Sequence, residues 1–461
     1  MSFEFIETEL GNFVEIVTKK CDASIIDVTN YISTENMLPD RQGVTISSGI
    51  PDVNKFNSFE IGDTLFSNIR TYFKKVWFAT FYGGVSPDVL VFRTTHEKLT
   101  SEYLHLILSS DDFINYSHLT SKGAKMPRGD KGAMLSYKIK IPSLKYQKRC
   151  TKLIFTLSKK IDSNNRINQT LEQMAQALFK SWFVDFDPVK AKMAVLDAGG
   201  SLADATLAAM TAISGKDADA LAVFEREHPE QYAELKATAE LFPAAMQDSE
   251  LGAIPKGWGV ASISEMGKVT CGKTPSKKEP EYYGSDVPFI KIPDMHGQLF
   301  VLKTNEYLSE AGSKSQLKKL VPANSICVSC IATIGVVSIT NEPSHTNQQI
   351  NSVTPHKSSL LYYLYFCMLG LKDHLHILGS AGSATLNVNT STFSGIKIAQ
   401  PDAKVLELFH AKCTHLFNEI KSLSVQTESL TQLRDTLLPK LLSGEITLQE
   451  AEQAVSEVEN V

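Results

Sequence analysis

Two stretches of this chain decide its fold: residues 150–182, CTKLIFTLSKKIDSNNRINQTLEQMAQALFKSW, and residues 409–441, FHAKCTHLFNEIKSLSVQTESLTQLRDTLLPKL. In each stretch, mostly apolar residues recur at alternating steps of three and four and form one stripe. A shift of 259 residues superimposes the two stripes. Steps of three and four lie on one face of a helix, and four heptads of such steps are typical of a coiled coil. The sequence therefore predicts two long helices that pair along these faces.

Polar residues interrupt the first stripe near its middle. Asn164 and Asn168 stand where the second copy has Leu423 and Thr427. A buried Asn fixes the register of paired helices at a cost in stability, whereas a locally solvated seam would explain the same residues. The sequence leaves both interpretations open. The first stripe is Cys150, Ile154, Leu157, Ile161, Asn164, Asn168, Leu171, Ala175, Leu178, Trp182, and the second is Phe409, Cys413, Leu416, Ile420, Leu423, Thr427, Leu430, Arg434, Leu437, Leu441.

The repeat continues upstream of both stripes at nearly the same shift. Residues 31–32 correspond to residues 289–290 at a shift of 258, and residues 65–67 correspond to residues 327–329 at a shift of 262. Short insertions in one copy would change the shift by a few residues in this way. A closing strand is predicted in each copy, at Tyr137–Ile141 and at Ser394–Ile398.

Each copy is predicted to begin with a mixed α/β domain. Short runs of β-branched and aromatic residues, broken by Gly, Pro, Asn and Asp, are typical of strands. One helix is predicted in each domain, at Ser101–Ser110 and at Ser359–Leu371, from apolar spacing. The predicted strands include Thr64–Ile69, Val76–Phe81, Val89–Phe92, Ser325–Ile331 and Gly335–Thr340.

These elements predict an α/β chain in which two globular domains are separated by two long antiparallel helices that form a coiled-coil spacer, with a pseudo-twofold internal repeat. A helix of 33 residues is about 50 Å long, which suits two DNA half-sites about one to one and a half turns apart. The predicted segments are a first domain (1–143), a first spacer helix (144–187), a helical acidic linker (188–253), a second domain (254–402), a second spacer helix (403–444) and an acidic tail (445–461).

The net charge of −5 conceals an uneven distribution. Residues 120–160 contain twelve Lys or Arg and one acid, Asp130, whereas residues 191–253 contain eleven acids and four bases. A basic block of this kind indicates a phosphate-binding surface, although a solvated helix face would also account for it. The sequence has no apolar run long enough to span a membrane and no basic signal peptide, so we expect no membrane association and a cytoplasmic location.

One nucleotide-binding pattern occurs in the chain. Residues 267–274, GKVTCGKT, fit GxxxxGK[ST], which cradles phosphates only where a strand precedes and a helix follows. Pro275 and Pro280 make that helix improbable, and the first copy lacks the pattern. A nucleotide-hydrolysing enzyme therefore remains a minor alternative.

Other candidate motifs are weaker. Cys327 and Cys330 form a CxxC in a strand-like run, where a separation of three directs the side chains to opposite faces. No second CxxC completes a zinc site, so we expect no metal site. Residues 185–189, DFDPV, lack the second proline and the aromatic residue of an adenine methyltransferase motif, and Pro188 is explained by a helix stop.

The resemblance to a known family lies chiefly in the spacer helices. Residues 167–187, INQTLEQMAQALFKSWFVDFD, and residues 427–446, TESLTQLRDTLLPKLLSGEI, resemble the central and distal conserved regions of type I restriction–modification specificity subunits. Linker segments 205–217 and 228–241 resemble one branch of that family. The openings IPKGWGV at Ile254 and GDTLFSNIR at Gly62 are also similar.

This resemblance implies a non-catalytic subunit in which each globular domain reads one half of a bipartite double-stranded DNA site. The spacer helices would set the gap and dock two copies of a DNA adenine methyltransferase subunit, and the resemblance also allows ATP-dependent restriction subunits. It implies no cofactor on this chain, because S-adenosylmethionine, ATP and magnesium would belong to the partners. The alternative from a different class is a coiled-coil scaffold that does not bind DNA.

Charge and side-chain chemistry suggest which residues would contact DNA. Lys and Arg neutralise phosphates, whereas planar donors and acceptors in loops read base edges. The predicted phosphate contacts are Lys122, Lys125, Arg128, Lys131, Lys273, Lys277, Lys278, Lys318 and Lys319. The predicted base-edge contacts are Asn68, Arg70, Tyr72, Thr333, Asn347, Gln348, Gln349, Asn387 and Asn389.

Apolar residues at the ends of the two stripes and beside them predict a docking surface for a protein partner. They exceed what one two-helix seam needs, and an exposed apolar patch commonly marks an interface. The alternative is that they cap the core of the helix pair itself. The residues are Phe179, Trp182, Phe183, Phe186, Leu438 and Leu442.

Overall fold

A computed structural model of the chain describes residues 5–123, 127–380 and 386–459. The part before the first long helix is rich in short strands and also contains three helices. The strands are β1 (Ile6–Glu9), β2 (Val14–Ile16), β3 (Lys20–Asp22), β4 (Tyr31–Ile32), β5 (Lys55–Phe59), β6 (Thr64–Ser67), β7 (Val76–Phe78), β8 (Gly83–Val85), β9 (Val89–Thr94) and β10 (Lys138–Ile141). The helices are α1 (Ser101–Ser109), α2 (Asp111–Leu119) and α3 (Lys131–Leu135).

The first long helix, α4 (Leu144–Phe183), is followed by a helical linker. The helix ends four residues before the predicted end, and Pro188 lies in the first turn of the next helix, where its missing N–H costs nothing. Pro188 therefore belongs to the start of α5, whereas the sequence predicted that it ends the preceding helix. The linker contains α5 (Asp187–Asp197), α6 (Leu202–Ser214), α7 (Ala218–Glu227), α8 (Pro229–Glu240), β11 (Met246–Ser249) and β12 (Gly252–Pro255).

The second strand-rich part follows β12 and leads to the second long helix. Its strands are β13 (Gly259–Ser262), β14 (Gly267–Cys271), β15 (Tyr283–Gly284), β16 (Val287–Ile290), β17 (Phe300–Val301), β18 (Tyr307–Leu308), β19 (Ile326–Ser329), β20 (Val337–Thr340), β21 (His345–Thr346), β22 (Ile350–Pro355) and β23 (Lys397–Gln400). Its helices are α9 (Ile263–Met266), α10 (Ile292–Met295), α11 (Glu310–Ser315), α12 (Leu361–Gly370), α13 (Lys372–Ser380) and α14 (Thr390–Gly395), and the chain closes with α15 (Ala403–Ser443) and α16 (Leu448–Glu459).

The main sheets of the two strand-rich parts share one strand order, which confirms the predicted repeat, although the second main sheet has an additional edge strand and the two smaller sheets differ in strand order. In the first, the sheet order β2-β9-β6-β7 accompanies β3-β5-β8-β4. In the second, β14-β22-β19-β20-β17 accompanies β15-β18-β16-β21. The parallel pair β4–β8 has its counterpart in β16–β21, and the antiparallel pair β1–β10 has its counterpart in β13–β23.

Most predicted strands form, but the prediction of one helix per domain was wrong. Short helices such as α2 and α14 begin at side-chain caps, Ser110 for α2 and Asn389 for α14, which the apolar pattern does not reveal. The predicted closing strand 394–398 is shifted, because residues 394 and 395 complete α14 and β23 starts at Lys397.

The chain divides into two compact units, and α4 and α15 contribute residues to both. The first unit is Met1–Arg166 with Leu423–Val461, and the second is Ile167–Ser422. In the first unit, the Tyr146 hydroxyl donates to the Leu441 carbonyl at 3.2 Å, while Asn164 Nδ2 donates to Gln426 Oε1 at 2.8 Å. The residue numbers increase along α4 while those of the contacting residues of α15 decrease, so the two helices pack antiparallel in this unit.

The second unit contains the same antiparallel packing. The ring centroids of Trp182 and Phe409 lie 6.2 Å apart, and the Tyr365 hydroxyl donates to Glu172 Oε1 at 2.7 Å while its ring lies 5.7 Å from Phe417. Every residue of both predicted stripes is buried or partly buried, which confirms the seam. Asn164 is fully buried and hydrogen bonded to Gln426, so at this position the interpretation as a buried polar pair holds rather than the solvated seam.

The acidic tail folds instead of remaining a simple charged extension. Leu448, Ala451 and Val455 recur on one face of α16 and are buried in the core of the first unit, together with residues of α4 and α15. Glu452, on another face, accepts from Arg149 of α4 at 2.8 Å. The helix thus packs through its apolar face, while Glu450, Glu452 and Glu457 are exposed.

Candidate nucleic-acid interface

Each strand-rich part brings two loop segments together at corresponding positions. In the first part, residues 68–74, which follow β6, meet residues 121–123 and 127–131; we call these segments the first loop pair. In the second part, residues 330–333, which follow β19, meet residues 386–389; these form the second loop pair. Because the equivalent strands β6 and β19 precede the first segment of each pair, the repeat that builds the sheets also places these loops.

Backbone hydrogen bonds hold the first loop pair. The Arg70 N–H donates to the Pro127 carbonyl at 3.3 Å, and the Gly129 N–H donates to the Asn68 carbonyl at 3.1 Å. Arg128 forms an antiparallel bridge with Ile69. Gly129 packs closely here, since an added Cβ would lie 2.2 Å from Cε at the end of the Met134 side chain and 2.9 Å from Asn68 Oδ1.

The second loop pair repeats these bonds at equivalent residues. The Ala332 N–H donates to the Leu386 carbonyl at 3.0 Å, and the Val388 N–H donates to the Cys330 carbonyl at 2.9 Å. Asn387 forms the bridge that Arg128 forms in the first pair. Two segments of low sequence similarity therefore adopt the same backbone arrangement.

Arg70 and Ala332 occupy equivalent positions and share a left-handed backbone, with φ of 49° and 64°. This conformation costs about 1 kcal/mol or more for a residue with a Cβ, so the bonds on either side must hold it. Both residues are exposed. The same backbone therefore presents a guanidinium in one domain and a methyl group in the other.

The predicted base-reading residues of the first domain differ in exposure. Arg70 is exposed, and Tyr72 is 46% exposed on a 3-10 turn with its ring 4.7 Å from that of Phe73. Asn68 corrects the prediction, because its side chain is buried beneath the loop against Gly129 and cannot reach a base edge from this position.

The predicted phosphate contacts of the first domain lie on the surface of the first loop pair. Lys122 is exposed and forms an ion pair with Asp130, and Arg128 is exposed and pairs with Asp88 at 2.9 Å. Lys131 is exposed at the start of α3. The ion pair with Lys122 is the first cause that holds the pKa of Asp130 below its usual value. Lys125 lies outside the described residues.

In the second domain, Thr333 and Asn387 are exposed on the second loop pair. Asn389 is exposed as well, but its side chain accepts from the Thr392 N–H at 2.9 Å and caps α14. The cap gives Asn389 a structural role that the sequence prediction did not include.

A third segment adjoins the second loop pair. The Cys330 N–H donates to the Gln349 carbonyl at 2.8 Å, which connects residues 346–349 to the pair. Gln348 is exposed and accepts from Thr274 Oγ1 at 2.6 Å. Asn347 corrects the prediction, because it is buried and its Nδ2 donates to Gln349 Oε1 at 2.9 Å.

The predicted phosphate contacts of the second domain occur in two segments. Lys273, Lys277 and Lys278 are exposed between β14 and β15. Lys318 is exposed and Lys319 half-buried on a 3-10 turn after α11. The Gln316 side chain donates to the Lys273 carbonyl at 3.0 Å and connects the two segments.

The two copies of the repeat each match a model of one protein family. Residues 4–173 and 255–421 match the family described as the type I restriction modification DNA specificity domain. The chain belongs to this family. It is 40% identical over 454 residues to the type I restriction enzyme HindI specificity subunit of Haemophilus influenzae, covering 95% of this chain and 99% of that protein.

More distant specificity subunits are similar as well. The MjaIX specificity subunit of Methanocaldococcus jannaschii is 22% identical over 355 residues, which cover 76% of this chain and 70% of that protein. The crystal structure of a type I restriction–modification S subunit from M. genitalium superposes with a TM-score of 0.53 at 12% identity, covering 95% of this chain and 96% of that one. This last likeness supports the specificity-subunit fold.

In this member of the specificity family, the GxxxxGK[ST] pattern does not form a phosphate loop. Residues 267–271 are strand β14, paired with β22, and the next residues run to a 3-10 turn at Pro280–Tyr282. The helix that must follow a phosphate loop is therefore replaced by irregular chain. Gly272 is needed for packing, since an added Cβ would lie 2.1 Å from the Asn347 carbonyl oxygen.

The cysteines have packing roles in the described structure. Cys327 and Cys330 lie in different apolar clusters, which confirms the prediction that their side chains point to opposite faces. Burial raises the pKa of both thiols to about 11. Among the described residues, no cluster of His, Cys, Asp and Glu is suited to a metal ion, and no helix is both long and apolar enough to cross a membrane.

Half of the six predicted docking residues are buried in the core. Trp182, Phe183 and Leu438 are buried, which corrects the prediction of an exposed patch and agrees with the alternative that they cap the helix core. The Trp182 ring lies 5.1 Å from that of Phe242, a linker residue. Phe179, Phe186 and Leu442 are partly buried, with Phe179 stacked on Phe366 at 5.3 Å.

The structure also adds residues that the sequence prediction missed. Phe73 is 42% exposed beside Tyr72, so the first loop pair presents two adjacent aromatic rings. The consecutive aromatic residues in a loop after a strand were the available signal. Asp88 and Asp130, which pair with the predicted phosphate contacts, had no sequence signal because they lie 40 and 8 residues away from those partners.

Proposed function

We propose that this chain is the DNA-specificity subunit of a type I restriction–modification complex and that each loop pair reads one half of a bipartite double-stranded target. The observation that carries the proposal is the duplicated backbone arrangement of the two loop pairs, which holds different exposed side chains in each copy. A shared scaffold with different side chains suits two readers of different base sequences. Membership in the specificity family supports the same function.

The partners and cofactors follow from this proposal. Two copies of a DNA adenine methyltransferase subunit would bind the complex, and ATP-dependent restriction subunits would join for cleavage. This chain would carry no catalytic group, and S-adenosylmethionine, ATP and magnesium would be bound by the partners.

The decisive experiment is a genome-wide methylation map after co-expression with the cognate methylating subunit. We expect adenine methylation at one bipartite motif. Methylation at no motif would contradict the proposal. A complex that assembles but retains DNA without sequence preference would instead indicate a coiled-coil scaffold.

The role of the first loop pair can be tested within the same map. We expect Arg70→Ala to relax recognition in one half-site only, because one exposed guanidinium is removed while the second loop pair is unchanged. A good bidentate contact contributes about 1 to 3 kcal/mol of base discrimination. Lys98→Ala, an equal change of charge at an exposed position outside the loop pair, is the matched control.

A further inference from the structure

The outer face of α4 carries a stripe of basic residues. Lys145, Lys152 and Lys159 recur at intervals of seven, and Lys148 lies one turn after the first. All four side chains are exposed. Residues 144–161 contain no acid, so this stripe lacks the alternating charges that usually cover a solvated helix face. We call these four residues the basic stripe.

The basic stripe lies opposite the seam. At 100° per residue, its members are roughly 180° from the buried seam residues Cys150 and Leu157. Phe155 is on the flank of the stripe, and its ring lies 5.6 Å from that of Phe78 in the first domain. The stripe therefore borders the face through which α4 contacts the first domain.

The charges of the basic stripe are not neutralised within the described structure. No carboxylate of the described residues lies within 4.0 Å of these four amino groups. Arg149, which is displaced around the helix, pairs instead with Glu452 of α16 at 2.8 Å. Like charges three or four residues apart, such as Lys148 and Lys152, each destabilise a helix by a few tenths of a kcal/mol.

The second long helix does not repeat the basic stripe. A shift of 259 residues relates Lys145, Lys148, Lys152 and Lys159 to Lys404, Glu407, Ala411 and Asn418. Both helices nevertheless form the seam, so pairing does not require the stripe. An uncompensated run of lysines in only one copy indicates a binding role that the coiled coil itself does not explain.

We propose that the basic stripe binds the phosphate backbone of the DNA that adjoins the first half-site. This inference rests on the proposed function. From residue 145 to residue 159 the stripe extends about 21 Å, a length over which duplex DNA presents about twelve phosphates on its two strands. Exposed lysines act as flexible point charges, so they suit contacts that are independent of base sequence.

The test removes the four charges and measures the salt dependence of DNA binding. The variant is Lys145→Gln, Lys148→Gln, Lys152→Gln and Lys159→Gln in the full chain assembled with its methylating subunit. Its control is Lys190→Gln, Lys236→Gln, Lys404→Gln and Lys412→Gln, an equal charge change at four other exposed lysines. The probe is a labelled duplex of about 40 base pairs, titrated from about 50 to 250 mM salt.

We expect the slope of log binding constant against log salt to fall in magnitude by about three to four in the stripe variant, because each phosphate contact contributes about 0.9. The control should retain the wild-type slope, and the variant should retain the wild-type preference for the target over a duplex with one altered half-site. The double variant Lys145→Gln and Lys159→Gln should lose about half as much, which keeps the test available if the fourfold variant misfolds.

An unchanged slope in a correctly folded stripe variant would overturn the inference. Loss of the methylating subunit from the complex at an unchanged slope would assign the stripe to an acidic protein surface and would also overturn it. The proposed function fails separately, if wild-type complex shows no preference for any bipartite duplex. In that case the salt slopes of the wild type and the stripe variant can still be compared.

Discussion

Gly272 has no room for a side chain, and this gives a test at the scale of one residue. An added Cβ would meet backbone oxygens, of Asn347 at 2.1 Å and Thr346 at 2.3 Å, which cannot move as a flexible side chain could. We expect Gly272→Ala to displace the segment beside the second loop pair and to abolish recognition of one half-site in a methylation map. Gly395→Ala, where an added Cβ meets nothing within 4 Å, is the control. Normal recognition by Gly272→Ala would contradict this packing role.

A substitution at Lys273 distinguishes a packing role of this segment from nucleotide binding. If the glycines and Lys273 formed a phosphate loop, Lys273→Ala would abolish function, whereas an exposed phosphate contact of DNA should only weaken binding and its salt dependence. The strand at residues 267–271 favours the second outcome.

We expect the buried His345 to make the stability of the second unit depend on pH. The ring is fully buried, with Nε2 2.9 Å from Ser313 Oγ, and burial lowers its pKa from 6.5 to about 4. Between these values the unfolded chain binds a proton that the folded chain does not, so the stabilisation is complete above pH 6.5 and is lost as the pH falls toward 4. The loss should be on the order of 3 kcal/mol.

Urea unfolding at about pH 7.5 and about pH 4.5 measures this dependence. We expect His345→Gln to show a smaller decrease in the free energy of unfolding than the wild type, because the variant has no imidazole to protonate. His374→Gln, at an exposed position, should behave as the wild type. Equal decreases in all three proteins would show that His345 does not cause the effect.

At the scale of elements, the pairing of α4 with α15 in the first unit includes a polar contact between two side chains, Asn164 and Gln426. Asn164 is fully buried and donates to Gln426 at 2.8 Å. We expect Asn164→Leu to lower the free energy of unfolding by about 1 to 2 kcal/mol, because Gln426 loses its partner. The double variant Asn164→Leu with Gln426→Leu should regain most of that loss, since both polar groups are then removed. Urea unfolding measures the free energy of unfolding of both variants, and equal losses in the single and the double variant would contradict the prediction.

At the scale of the whole molecule, α4 and α15 connect two units that carry one loop pair each. Seven residues add about 10.5 Å and nearly two full turns, so a heptad inserted at matched positions in both helices keeps the seam in phase. We expect the methylated motif to keep both half-sites and to gain a gap about three base pairs longer. An unchanged gap, or altered half-sites, would contradict a spacer role.

Exchange of the first domain tests modularity at the same scale. Replacing residues 1–143 with the corresponding domain of another specificity subunit should change one half-site and leave the other half-site and the gap unchanged. The repeat predicts this result, because each copy has its own sheets and loop pair. A swap that altered both half-sites would show that the two domains do not read DNA independently.

The sequence by itself determined the two long helices, their seam and the duplicated order of strands. Periodic apolar residues specify a helix face locally, so stripe positions such as Cys150 and Phe409 could be identified without a structure. The exposed bases Arg128 and Lys122 were also predictable, because charged side chains rarely enter a core.

Only the tertiary structure decided which side chains are available at the loops and along the helices. Asn68 and Asn347 have the right chemistry for base edges but are buried, because a glycine in one loop and a glutamine in the other pack against them. Trp182 belongs to the core because linker residue Phe242 covers it. Such burial depends on contacts between residues far apart in the chain, whereas periodicity and charge are local properties that can be seen in the sequence.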